Sequence, residues 1–254
     1  MDLAGKVAIV TGGASGLGRG TVEAYVAKGV KVAIFDMNEA NANEVIAELG
    51  ADKVAFWKVN VAEEASVKAA VEGVVEKFGA LHICNNFAGI GNACKTYGKN
   101  GVFPMDLYML VINVNLVGTF NVSRYAAEQM AKNQPFNSDG GRGVIINTAS
   151  VAAYEGQVGQ VAYSASKGGV IGMTLPMARD LASYGIRVNT IVPGHITSKN
   201  ACGMVVSGFL AEVEKTDLEG LRKKYPEAFA RECHITAGPC LAGIVEDSTG
   251  KEGA

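Results

Sequence analysis

Histidine is scarce in this chain, and cysteine is neither frequent nor regularly spaced. The three histidines lie far apart, and the five cysteines are Cys84, Cys94, Cys202, Cys233 and Cys240. Such histidines build no metal site, no cysteine pair has zinc-binding spacing, and no bound metal is expected. An odd, scattered set of thiols also argues against a disulfide framework and for a reducing compartment. Excess charge of one sign is missing too: 23 basic residues against 25 acidic ones leave a net charge of −2, mixed along the chain. That balance excludes the footprint of a nucleic-acid binder and the patch of a membrane-surface protein. No apolar run approaches the length of a membrane span, and no signal peptide precedes the first apolar strand at residues 6–10. There is neither an internal repeat nor a low-complexity segment. The cytoplasm is the expected compartment, with the mitochondrial matrix as the alternative in a eukaryote.

What is present is a chain of 254 residues, 48% hydrophobic and with 32 glycines. That is enough to bury a sizeable core and excludes disorder as the default. Short apolar runs alternate with helical patterns. Residues 7–10 are a continuous apolar run rich in β-branched residues, as in a strand buried on both faces. Helix is predicted over 18–28, 38–49 and 66–78, and strand over 30–35, 54–59, 81–84, 143–147 and 186–192. Residues 133–143 read as a surface loop. The alternation predicts an α/β fold: a three-layer, doubly wound parallel sheet of Rossmann type, in one domain across residues 1–254. Residues 195–254 are expected to hold a substrate loop or lid and an atypical tail. Within them Phe209, Val213, Leu218, Leu221, Tyr225 and Phe229 have amphipathic helical spacing, either over a cleft or packed on the body.

The first strand runs into Thr11-Gly12-Gly13-Ala14-Ser15-Gly16-Leu17-Gly18, followed at once by a helix. Glycines there permit a tight turn and let backbone approach a pyrophosphate. The helix start supplies unpaired N–H groups and a positive dipole end for the anion. Gly12, Ser15, Gly16, Leu17 and Gly18 are therefore candidate cofactor contacts, the strand–turn–helix context being what raises the value of the glycines. Asp36 ends the second strand, where a carboxylate can accept from ribose hydroxyls and would repel a 2′-phosphate. No basic residue stands in the glycine turn or directly after Asp36. NAD rather than NADP is the expected cofactor.

Tyr163 and Lys167 lie one helical turn apart, and Ser150 precedes Tyr163 by thirteen positions. A free phenol, with a pKa of roughly 10, is a poor base at neutral pH. A lysine on the same helix face places a cation beside it and favours phenolate. Ser150 can hold a substrate oxygen close to Tyr163. Each element alone is weak, because serines and Tyr-x-x-x-Lys spacings are common. Together with the glycine turn and Asp36 they predict an oxidoreductase acting on an alcohol.

With these motifs, and with Asn86-Phe87-Ala88-Gly89, Asn115 between Val114 and Leu116, and Pro193-Gly194, the chain resembles the short-chain dehydrogenases/reductases over roughly residues 5–194. The resemblance implies a catalytic set of Asn115, Ser150, Tyr163 and Lys167. Asn115 would anchor a water in a proton relay, and Lys167 would also hold the nicotinamide ribose. It further implies that Asn60 and Val61 contact adenine, that Ala88 and Gly89 line the adenine-ribose wall, and that Pro193 and Thr197 meet the nicotinamide. A homotetramer or homodimer is implied, as is a substrate of the 3-hydroxyacyl-CoA or hydroxysteroid kind. Three departures stand out. Phe87 occupies a place the family fills with a small or amide residue. Ser198 sits at the offset of a cofactor-binding threonine, with Thr197 just before it. Residues 199–254 do not resemble the family's ending.

Two other functions compete: a dehydrogenase of a small or cyclic secondary alcohol, suggested by the unfamiliar tail, and a non-catalytic nucleotide-binding scaffold, suggested by the departures. The intact catalytic set speaks against the scaffold. His195 is read as an exposed loop histidine, and Lys95 and Lys99 as residues of a solvated loop near the cleft.

Overall fold

Continuous apolar segments rich in branched side chains become the strands of one central sheet. A computed structural model describes residues 1–194, 205, 206, 210, 213 and 214, and the backbone of 233–236. Its first half alternates β1 (Val7–Thr11), α1 (Gly16–Ala27), β2 (Lys31–Asp36), α2 (Glu39–Leu49), β3 (Val54–Lys58), α3 (Glu64–Phe78) and β4 (Ile83–Asn86). A two-stranded hairpin follows, β5 (Tyr97–Gly98) and β6 (Gly101–Val102), then α4 (Met105–Ile112), a π-helical turn (Asn113–Val117) and α5 (Gly118–Met130). β7 (Gly143–Thr148), α6 (Val161–Ala182), β8 (Ile186–Pro193) and β9 (Cys233–Thr236) complete it.

The sheet order is β3-β2-β1-β4-β7-β8-β9, with every pair parallel except β8 and β9. Chain order runs outward one way from β1 and the other way from β4. That reversal opens a crevice beyond the carboxyl ends of these two strands, where open α/β sheets bind ligands. Side chains alternate across the sheet. On one face, Ile9, Cys84 and Ile145 meet Val67 and Val71 of α3, Val122 and Met130 of α5, and Met177 of α6. On the other, Ala8, Ile34, Ile83 and Ile146 meet Val22 and Tyr25 of α1 and Val45 of α2. The outcome is the expected three-layer arrangement, with one antiparallel strand added at the edge.

Val205 and Val213 are buried in that second layer, and Leu210 packs against it. Arg187 donates to the Val213 carbonyl at 2.9 Å, and Lys28 pairs with Glu214 at 2.6 Å. These residues of the unfamiliar tail thus pack on the sheet, and none of them lines the cleft. Phe209, Leu218, Leu221, Tyr225 and Phe229 lie outside the described residues.

The expectation that no apolar segment approaches a membrane span needs correcting. The helical stretch Met105–Met130 is 26 residues long and apolar enough to cross a bilayer by length and composition. Its surroundings point to a core helix instead. Asn115, Thr119, Asn121 and Ser123 are buried along it, and Asn121 donates to the Val61 carbonyl at 2.9 Å. In lipid the Asn115 and Asn121 side chains would lose the partners they find outside the helix.

Candidate active site

The switch point opens a cleft of about 1190 Å³. Gly12, Ser15, Gly16, Leu17, Gly18, Asp36, Asn60, Val61, Ala88, Gly89, Ser150, Tyr163 and Lys167 all line it. Asn115 lies just behind the lining: a Cβ placed on Gly89 would come within 3.3 Å of its Oδ1 and 3.8 Å of Lys167 Nζ. Pro193 is buried at the end of β8 and leaves its neighbour Gly194 to reach the cleft. Thr197, Ser198 and His195 lie outside the described residues.

The glycine turn is shaped by close backbone packing. Gly12 has φ of 65°, and a Cβ there would fall 3.1 Å from the Ala88 nitrogen. A Cβ on Gly18 would collide with the Gly12 carbonyl. Thr11, beneath the turn, accepts from the Phe87 and Ala88 amides at 3.0 Å each. The hydroxyl thereby joins the first strand to the opposite cleft wall. Ser15 stands at the N-terminus of α1 in an extended conformation, its side chain caps no helix N–H, and no acidic residue occupies the first turn. Unspent amides and a positive dipole end with no carboxylate in that turn suit a pyrophosphate.

Asp36 is held in place by two backbone donors, Ala14 at 3.1 Å and Asn38 at 2.9 Å. Each carboxylate oxygen accepts one bond and keeps further capacity for ribose hydroxyls. Asn60 is largely occupied within its own loop. Its amide donates to Glu63 at 2.7 Å and its Oδ1 accepts from the Ala62 amide at 3.1 Å, so only spare Oδ1 capacity and one amide proton remain for adenine. Phe87 lines the cleft and also packs against the α1 layer of the core, where its bulk is accommodated.

The catalytic candidates converge on the opposite wall. Tyr163 and Lys167 project from the first turns of α6, with Lys167 Nζ 5.6 Å from the Tyr163 ring centroid. Lys167 is only 5% exposed and donates to the Thr148 carbonyl at 2.7 Å. Burial lowers its pKa to about 8, since a low-dielectric site disfavours the charged form. Ser150 starts a short 3-10 turn (Val151–Ala153) and accepts from the Ala152 amide at 3.2 Å. Accepting leaves its own proton free to donate to a substrate oxygen. Asn115 sits in the π-helical turn with both amide protons used: Nδ2 donates to the Ile90 carbonyl at 2.9 Å and to Ser166 at 3.0 Å, and Oδ1 accepts from the Ile90 amide at 2.8 Å. Such turns are frequent at functional sites. Among the described residues no three His, Cys, Asp or Glu side chains gather as a metal site would require.

Sequence reasoning missed part of the lining. Asn92, Glu155, Gln157 and Gln160 stand on the cleft, and Gln160 accepts from the Gln157 amide at 2.9 Å. They belong to loops, where no periodicity marks a residue as facing a site. Lys95 precedes the small hairpin, Lys99 lies in its turn, and both are exposed, as read.

Comparison with known proteins places the chain in a family. A family model described as short chain dehydrogenase matches residues 6–204. The 3-hydroxyacyl-CoA dehydrogenase type-2 of Drosophila melanogaster is 53% identical over 190 residues, covering 74% of this chain and 74% of that protein. Its Rattus norvegicus counterpart is 52% identical over 192 residues, covering 75% and 73%. The crystal structure of 3-hydroxyacyl-CoA dehydrogenase type-2 from Mycobacterium avium superposes with a TM-score of 0.72 at 41% identity, covering 77% of this chain and 76% of that one.

Proposed function

Since the chain belongs to the short-chain dehydrogenases, a family of oxidoreductases that generally use a nicotinamide cofactor, we propose that it is an NAD-dependent dehydrogenase of secondary alcohols. The substrate we assign is a 3-hydroxyacyl-CoA, as the names of its relatives suggest, with a hydroxysteroid-like alcohol as the alternative. Exposed Lys95 and Lys99 near the cleft suit the phosphates of the former. One observation carries the reading: Ser150, Tyr163 and Lys167 share a cleft with a glycine turn and a fixed aspartate.

A dinucleotide fits the residues present, because the glycine turn has no room for a Cβ at Gly12 or Gly18 and leaves its helix amides unspent. Gly12, Ser15, Gly16, Leu17 and Gly18 would hold its pyrophosphate, Asp36 a ribose, Asn60, Val61, Ala88 and Gly89 the adenine side, and Lys167, Thr197 and, through its neighbour Gly194, Pro193 the nicotinamide side. When bound, the nicotinamide supplies hydride transfer. Asp36 favours NAD because its carboxylate would repel a 2′-phosphate. Ser150 donates to the substrate oxygen and holds it. Tyr163 takes the alcohol proton, or returns it to the ketone oxygen in the reverse direction. Lys167 keeps a cation beside the ring, and Asn115 fixes the wall formed by Gly89 and Ile90. We also propose a homodimer or homotetramer, supported by the apolar side chains exposed along α4 and α5, and a reducing compartment such as the cytoplasm or mitochondrial matrix, supported by the free thiols of Cys84 and Cys94.

The test is Tyr163→Phe assayed with acetoacetyl-CoA and NADH. Turnover should fall by about 10²–10⁴-fold, while the fluorescence titration with NADH stays within about threefold of wild type by the same reasoning that only proton transfer is lost. Undiminished turnover would remove Tyr163 from the chemistry, and tighter binding of NADPH than of NADH would overturn the role of Asp36.

A further inference from the structure

We propose that a closed ring of buried hydrogen bonds beneath the cleft fixes the spacing of Ser150, Tyr163 and Lys167, with Ser123 and Ser166 as positioning residues. The inference rests on the dehydrogenase reading above.

The ring can be followed bond by bond. Ser166 donates to the Tyr163 carbonyl at 2.7 Å and accepts from Asn115 Nδ2 at 3.0 Å. The Asn115 carbonyl accepts from Thr119 Oγ1 at 2.7 Å, and the Thr119 carbonyl accepts from Ser123 Oγ at 2.7 Å. Asn86 Nδ2 divides its protons between Ser123 Oγ at 3.0 Å and Asn147 Oδ1 at 2.9 Å. Asn147 is followed by Thr148, whose carbonyl accepts from Lys167 Nζ at 2.7 Å. Lys167 returns the path to α6 and Tyr163. Asn115, Ser123, Asn147 and Ser166 are 0% exposed, Asn86 is 2%, and Thr119 and Lys167 are 5%.

Each catalytic group is therefore joined to a different part of one frame. Tyr163 hangs from Ser166, Lys167 from Thr148, and Ser150 follows Asn147 by three residues along β7 and its turn. The frame crosses the sheet at paired positions, because Asn86 and Asn147 are register partners. It climbs the long helix at Asn115, Thr119 and Ser123, four residues apart, through hydroxyl-to-carbonyl bonds that ordinarily weaken a helix. No link is spare: either serine hydroxyl, once removed, leaves a buried amide proton without an acceptor. Ser123 and Ser166 do not line the cleft, so any effect on turnover must pass through position. Misplacement by about 1 Å can cost on the order of 10²-fold in rate.

The experiment is a double-variant cycle on the full chain. Ser123→Ala and Ser166→Ala should each lower kcat by about tenfold, with NADH binding by fluorescence unchanged, and together by about tenfold rather than a hundredfold, because one frame is broken only once. The Ile90 amide, bonded to Asn115 Oδ1, should also exchange faster in both. Thr174→Val is the comparison: Thr174 is buried on the same helix and its hydroxyl donates to the Val170 carbonyl, but it stands outside the ring. It should lower the melting temperature without changing kcat. Cysteine at 123 or 166 replaces alanine if an alanine variant does not fold. The proposal is overturned if the serine variants behave like Thr174→Val, or if their effects on kcat multiply. If Tyr163→Phe is inactive and the serine variants keep wild-type kcat, only the ring is lost; if Tyr163→Phe remains active, the dehydrogenase reading itself fails.

Discussion

Lys167 is a cation with almost no access to water and a single carbonyl acceptor at 2.7 Å. Its pKa near 8 has a consequence for stability. Unfolded, a lysine titrates near the ordinary value of about 10.4. Between these limits the unfolded chain binds more protons than the folded one, so stability rises with pH from about 8 toward 10.4 and the cost of burying the charge is full below 8. Lys167→Met should lack that rise. Measured as the change in melting temperature between pH 8 and pH 10, wild type should gain on the variant by a few degrees, given about 2–4 °C per kcal/mol for a chain of this size. An identical pH dependence in the two proteins would mean that Lys167 is not desolvated. Turnover should be lost in the variant. At this scale the sequence was partly readable. Tyr163 and Lys167 stand out only in company, because their common spacing on one helix face coincides with Ser150, the glycine turn and Asp36. Ser166, Thr119 and Ser123 did not, because a serine or threonine carries no signal of its own and acquires a role only from the carbonyl opposite it.

Helix α6 packs closely on the π-helical turn. A Cβ on Gly169 would fall 2.7 Å from Leu116 Cδ2, so the glycine sets how near Tyr163 and Asn115 can come. Gly169→Ala should destabilise by about 1–3 kcal/mol through overpacking, read as a lower midpoint in urea at unchanged slope. Leu116→Ala added to it should recover part of the loss. Strands β1, β2, β7 and β8 were legible because branched apolar runs bounded by glycine and polar turns have few other uses. α1 begins at Gly16, two residues before the expected start. Helix Met105–Met130 was not read at all. It is apolar on its exposed side as well as its buried one, so the amphipathic contrast on which such a reading depends is blurred. The hairpin of β5 and β6 escaped for a simpler reason: its strands are two residues each.

At the scale of the molecule, the same long helix exposes Met105, Met109, Leu110, Val117 and Phe120. On α6, Gly168 and Gly172 face open space, offering a flat surface for close approach. Large apolar side chains exposed along one helix are the surface on which the proposed association between chains would rest. Phe120→Glu combined with Leu110→Glu should shift the mass seen by light scattering to that of a monomer, with the circular dichroism unchanged; an unaltered mass would place the subunit contact elsewhere. The antiparallel edge strand β9 and the packing of Val205 and Val213 on the α1 layer were not legible, since neither resembles the ending on which the sequence comparison depended. Asp36 links these scales. Its carboxylate already bridges the glycine turn and the start of α2 through the Ala14 and Asn38 amides. Anyone redesigning the pocket for the phosphorylated dinucleotide would be pulling out a strut along with a charge, and a replacement must bring its own acceptor for both amides before it brings a welcome for phosphate.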